Sequence, residues 1–235
     1  MQCSEWKEFA RKESNVYGFT GRWGCAVLAG RERDRVSALD VVNWKDYPYK
    51  PEVSFRIAHT GREILLHYKV KEASVRAVAS GDNGRVWEDA CVEFFVSPEG
   101  DDRYYNFECN CAGRLLIQGG AVNERRPTAS QEVLGMVKRW SSLGGEPFEE
   151  RLGECRWELA MVIPVSVFFQ HSVGSLDGKS NEREFSTSVV TNSRLPTSFL
   201  GVLSGWNAPC STVRPFSAPC LLNKSLGCSG GIICR

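Results

Sequence analysis

Two carboxylates, Glu93 and Glu108, stand in neighbouring apolar runs of the stretch WEDACVEFFVSPEGDDRYYNFECNCAGRLLIQ (residues 87–118), together with Trp87, Tyr104 and Asn106. A carboxylate accepts hydrogen bonds in their stronger, charge-assisted form, an amide both donates and accepts, and an indole or phenol offers an apolar face with a polar edge. That set suits the holding of a hydroxyl-rich molecule: Trp87 as a stacking platform, Glu93 as acceptor for two hydroxyls, and Tyr104, Asn106 and Glu108 extending the row. A pair of carboxylates also suits hydrolysis of a glycosidic bond, which needs an acid and a second carboxyl group about 5 to 10 Å apart. Glu93 and Glu108 are the candidates for that alternative, but no motif assigns acid and nucleophile.

The elements that must position these residues read as strands. Residues 90–97 and 104–118 are apolar runs joined by a link with Pro98, Gly100, Asp101 and Asp102, the form of a β-hairpin with a longer loop. Successive residues of a strand point to opposite faces. Val92, Phe94 and Val96 therefore face a core, with Glu93, Cys91 and Phe95 opposite; Tyr105, Phe107, Cys109 and Cys111 share one face and Tyr104, Asn106, Glu108 and Asn110 the other. A carboxylate among apolar groups costs several kcal/mol if buried without partners, so Glu93 needs a pairing group, water or a ligand. Ordinary roles are open at each position: Trp87 sealing the end of a core, Glu93 paired with Arg56 or Arg114, Asn106 and Glu108 as solvated strand residues.

The pattern W-E-D-x-x-V-E-F-F-V-S-P-x-G-D-D followed by Y-Y-N-F-E-x-N, with Trp87 six residues before Glu93, resembles the family 9 carbohydrate-binding modules of bacteria. The resemblance continues in Asn43, Trp44 and YPYKPEVSFRIAHT (residues 47–60), and in WELAMVIPVSVFF and SLDG downstream, covering about residues 38–184. It implies an all-β, antiparallel β-sandwich (jelly-roll-like) that takes sugar in a groove, with tryptophans on the pyranose faces and polar side chains on the hydroxyls. The expected partner is then an oligosaccharide or polysaccharide and the expected role non-catalytic binding linked to glycan catabolism. No cofactor is expected; the resemblance allows a structural calcium, to which Asp101 and Asp102 would contribute, although such a pair is also an ordinary turn.

Length and composition are consistent with this. A chain of 235 residues fits one large sandwich, or one domain with appendages. It buries roughly 70% of its unfolded surface and needs neither disulfide nor metal to fold. A net charge of +1 with no basic stripe excludes strong attraction to nucleic acid or anionic membrane. No stretch approaches the ~20 apolar residues of a membrane span. The opening MQCSEWKEFARKES has no apolar run after its charges, so the address expected as written is cytoplasmic, and secreted if the true start lies upstream. The ten cysteines are irregularly spaced, and Cys109 and Cys111 read as small buried thiols. His59, His67 and His171 form no ligand spacing.

Along the chain, residues 1–37 lack a sustained period and read as an irregular segment, with a short helix over residues 4–12. Residues 52–59 and 63–71 form a strand pair across Thr60, Gly61 and Arg62, residues 75–79 a further short strand, and Gly81 to Gly84 a turn delivering the chain to Trp87. Residues 132–140 fit a strand and a helix equally, and residues 156–163 are a strand ending at Pro164. The sandwich is placed at residues 38–184, between irregular terminal segments.

From Ser186 onward there is no Asp or Glu, against 28 in the whole chain, and Cys210, Cys220, Cys228 and Cys234 lie among Ser, Pro and Gly without a C-x-x-C pair or histidine. Residues 185–201 (FSTSVVTNSRLPTSFLG) can be back-translated so that a shifted frame reads Leu-Tyr-Lys-Cys-Gly-Asp-Glu-Leu-Pro-Thr-Pro-His-Phe-Leu-Ser-Trp, a segment of the kind the resembled family carries here. Residues 185–235 are accordingly read as an irregular tail out of frame from near Glu184, and Trp206 is not taken as a stacking partner for Trp87.

Overall fold

The computed structural model describes residues 37–39, 49–99, 101–121, 124–176, 184–190 and 198–204. The expected helix over residues 4–12, Asn43, Trp44, Trp206 and most of both terminal segments lie outside these residues. Among the described residues, ten strands pair antiparallel in two sheets. One sheet has the order β1 (Ser37–Ala38), β2 (Glu52–His59), β3 (Glu63–Ala77), β8 (Phe148–Pro164), β7 (Lys138–Ser141). The other has the order β10 (Ser198–Ser204), β9 (Glu184–Val190), β4 (Cys91–Ser97), β5 (Arg103–Asn110), β6 (Leu115–Ala121).

Alternation places the core between them. Phe55, Ile64, Leu66, Tyr68, Trp157, Leu159 and Met161 from the first sheet meet Val92, Phe94, Val96, Tyr105, Phe107, Leu115 and Ile117 from the second, all buried. A polar link crosses this layer: the Tyr68 hydroxyl meets Thr187 Oγ1 at 2.7 Å, and Thr187 Oγ1 donates to the Glu93 carbonyl at 2.7 Å. Because the Thr187 proton goes to Glu93, the Tyr68 hydroxyl is the donor of the first bond, and the buried phenol is satisfied. Cys109 and Cys111 are free, buried thiols, and burial pushes the Cys109 thiol up to about 12.

Several elements differ from their sequence reading. Residues 104–118 are not one strand: Asn110 to Arg114 form a turn, with Gly113 at φ 81° and Asn110 Oδ1 accepting from Ala112 N and Arg114 N, so Cys111 lies beyond β5. Residues 75–79 are no separate strand, since β3 runs unbroken to Ala77, with bulges where it pairs with the first half of β8. Both alternatives at residues 132–140 are realised: a helix, α1 (Gln131–Met136), capped by Ser130 accepting from Val133 N, then β7. Gly119 permits a close approach, for a Cβ there would lie 2.6 Å from the Tyr105 ring. Among the described residues no helix is long and apolar enough to cross a membrane.

Candidate functional site

The outer face of the second sheet, the side away from the core, carries all five residues singled out in the sequence. In register, Glu93 stands directly opposite Glu108, and Phe95 opposite Asn106. Across the next pair, Glu108 faces Leu116, Asn106 faces Gln118 and Tyr104 faces Gly120. Trp87 joins this face at one end: half-buried, it packs on Ala79, Val86, Cys91 and Leu116, the last two being outward residues of β4 and β6.

The turn that presents Trp87 is a short 3-10 helix, Val86–Glu88, and it is pinned from below. Asp89, fully buried, accepts from Val78 N at 2.9 Å, Ala79 N at 3.0 Å and Asn110 Nδ2 at 2.9 Å, with Arg76 Nε 3.6 Å away. Arg76 also donates to the Glu88 carbonyl, and Ala90 N to the Arg76 carbonyl. Such a carboxylate loses its water but regains it as three donors and a cation, which makes its burial tolerable. Asp89 belongs to the W-E-D triplet, yet nothing in that triplet says it turns inward; only pairing with Asn110 and the end of β3 does.

Glu93 is half-buried and faces outward, while Glu108 and Asn106 are only 1% and 3% exposed. Asn106 Nδ2 donates to Glu108 Oε1 at 2.5 Å, which fixes the carboxylate on the floor. The reading of Asn106 and Glu108 as solvated strand residues is therefore corrected: they lie under their neighbours. Pairing of Glu93 with Arg56 is also overturned, because Arg56 pairs with His67 on the outer face of the other sheet. Arg114 donates instead to the Gly145 carbonyl.

At the far end Tyr104 is half-buried, tilted against Phe95 with ring centroids 6.5 Å apart. Burial raises its hydroxyl pKa, with Arg126 pulling the other way. The Arg126 guanidinium lies over the Tyr104 ring, 4.6 Å from its centroid, a contact no sequence spacing announces. The face thus offers two aromatic edges, an outward carboxylate and a hydrogen-bonded amide and carboxylate floor, an arrangement able to stack on apolar C–H faces and accept hydroxyl protons.

Asp101 is engaged by His171 Nε2 at 3.2 and 3.3 Å and by Arg103 N, and among the described residues no group of three His, Cys, Asp or Glu is placed to hold an ion. The three histidines lie apart: His59 Nδ1 accepts from Gly61 N, His67 bonds Glu158, and His171 bonds the Tyr105 hydroxyl.

Fold and face together define an antiparallel β-sandwich with a polar, aromatic-edged outer face on one sheet. A family model described as carbohydrate-binding family 9 matches residues 26–198, and the chain belongs to that family. It is similar to the crystal structure of a proposed carbohydrate-binding protein from Bacteroides uniformis, at 80% identity over 74% of this chain and 80% of that one, TM-score 0.69. More remote likenesses are to a family 9 carbohydrate binding module from Caldicellulosiruptor kristjanssonii in complex with glucose (10% identity, 71% and 73% covered, TM-score 0.40) and with cellotriose (11%, 71% and 71%, TM-score 0.41). No curated protein matches the chain.

Proposed function

We propose that the chain is a non-catalytic module that binds an oligosaccharide or polysaccharide on the outer face of the second sheet, in the service of glycan breakdown. The observation that carries this is the gathering of Trp87, Glu93, Tyr104, Asn106 and Glu108, spread over 22 residues of sequence, onto one sheet face. Trp87 supplies the stacking surface, Glu93 accepts hydroxyl protons directly, and Asn106 and Glu108 set the floor beneath. Membership of the family and the Bacteroides relative support the reading.

Isothermal titration against soluble mono- and oligosaccharides, with glucose and cellotriose among them, tests it. Saturable binding that Trp87→Ala abolishes is the expected result; a panel-wide lack of heat and of any thermal shift defeats it. The alternative, hydrolysis by Glu93 and Glu108, is separated by assaying release of reducing ends from the same sugars. We expect none, because direct cross-strand neighbours stand side by side on one floor, whereas the two groups of a glycosidase flank the bond they cleave.

A further inference from the structure

The outer-face row that carries Tyr104 ends in an arginine that the proposed function leaves unused. Beyond β6 the chain doubles back: Thr128 bridges Gln118, Gly119 N donates to the Pro127 carbonyl, and Ala129 N donates to the Ile117 carbonyl. Continuing that pairing by two residues sets Arg126 beside Gly120, itself the register partner of Tyr104. A Cβ on Gly120 would come within 3.1 Å of Arg126 Cγ. With hydrogen in its place, the arginine stem crosses the β6 backbone and sets its guanidinium on the Tyr104 ring.

Three polar atoms at this corner are buried and have no hydrogen-bond partner among the described residues: Arg126 Nη1, the Tyr104 hydroxyl and Asn106 Oδ1. Groups left so are costly, and native proteins keep them where water or a ligand completes them. Their chemistry also differs from that of the carboxylate row. Glu93 and Glu108 only accept when ionised, whereas a guanidinium only donates and a phenol does both. From Glu108 to Tyr104 is four strand residues, roughly 13 Å, longer than one pyranose ring.

We infer that Arg126, Tyr104 and Asn106 form a second subsite, which takes the sugar unit next to the one over Glu93: Arg126 and the Tyr104 hydroxyl donate to its ring and hydroxyl oxygens, and Asn106 Oδ1 accepts from one of its hydroxyls. This rests on the carbohydrate reading of the face. The test compares affinities by titration of the unaltered protein with glucose, xylose and galactose and with disaccharides and trisaccharides of each. The best trisaccharide should bind at least about tenfold more tightly than its monosaccharide. In Arg126→Ala that ratio should drop to within about threefold of one, and Arg126→Lys, which keeps the charge but not the planar fork, should recover only part of it. Near-ultraviolet circular dichroism on each variant verifies the fold. An undiminished ratio in Arg126→Ala, or equal affinity of the unaltered protein for one unit and three, overturns the second subsite while leaving the first; absence of binding to every sugar overturns both.

Discussion

Glu93 is the residue on which affinity for a hydroxyl-rich ligand should depend most sharply, since it is the outward carboxylate of the face and its backbone carbonyl is already held by Thr187. Glu93→Gln keeps the shape and removes the charge. Hydrogen bonds to charged groups contribute about 1.5–3 kcal/mol, so sugar affinity should fall roughly ten- to hundredfold in titration. A second residue-scale prediction concerns Glu72, on β3 of the other sheet. Burial pushes its carboxyl up to about 7, offset in part by the bond from Trp157 Nε1 at 2.5 Å. An acid whose pKa is raised by folding binds its proton more tightly in the native state, so stability is greatest below its unfolded pKa, about 4.5, and is lost as pH rises to about 7. Denaturant melts between pH 4.5 and 7 should show this fall, and Glu72→Gln should remove it. His67 works in the opposite sense: burial lowers its pKa, so its contribution is present above pH 6.5 and lost as pH falls. The Glu72→Gln protein should display that slope by itself.

At the scale of elements, the close fit of Gly119 against Tyr105 sets the geometry of the second sheet. Gly119→Ala would drive a methyl group into the Tyr105 ring, whose hydroxyl also anchors Gln170 N and His171; a loss of about 1–3 kcal/mol in denaturant melts is expected. Strand alternation made β4 and the first half of the hairpin legible, because Val92, Phe94 and Val96 on one side and Glu93 on the other admit only one facing once a core exists. The turn after Asn110 was hidden because Cys111, Ala112, Leu115 and Leu116 carry apolar text straight through it; only Asn110 and Gly113 betray it, and each is weak alone. The candidate site was legible where its residues lie within one hairpin. Arg126 and the inward turn of Asp89 were not, since each depends on a partner brought near by sheet pairing, Gly120 in one case and the end of β3 in the other.

For the whole molecule, the sandwich expected at residues 38–184 extends in the structure through β9 and β10, whose backbones pair as far as Ser204, while the rest of the tail lies outside the described residues. The out-of-frame origin of residues 185–235 remains a proposal, and the nucleotide sequence around codon 184 tests it. A one-base insertion or deletion relative to the reading frame of the Bacteroides relative is expected there, and an identical frame shared with that relative would end the idea. Protein made from the corrected frame should then show a higher melting temperature, because its last strands would carry residues patterned for a sheet.

The turn bearing Trp87 is seated on a fully buried carboxylate that takes hydrogen bonds directly from the two residues after β3 and from Asn110 of β5. A shelf fastened in this way is ready before any visitor arrives, so docking demands no slow ordering step. Stopped-flow traces of indole fluorescence should therefore rise in a single phase whose rate grows in proportion to the concentration of sugar, with no plateau of the kind a closing lid imposes.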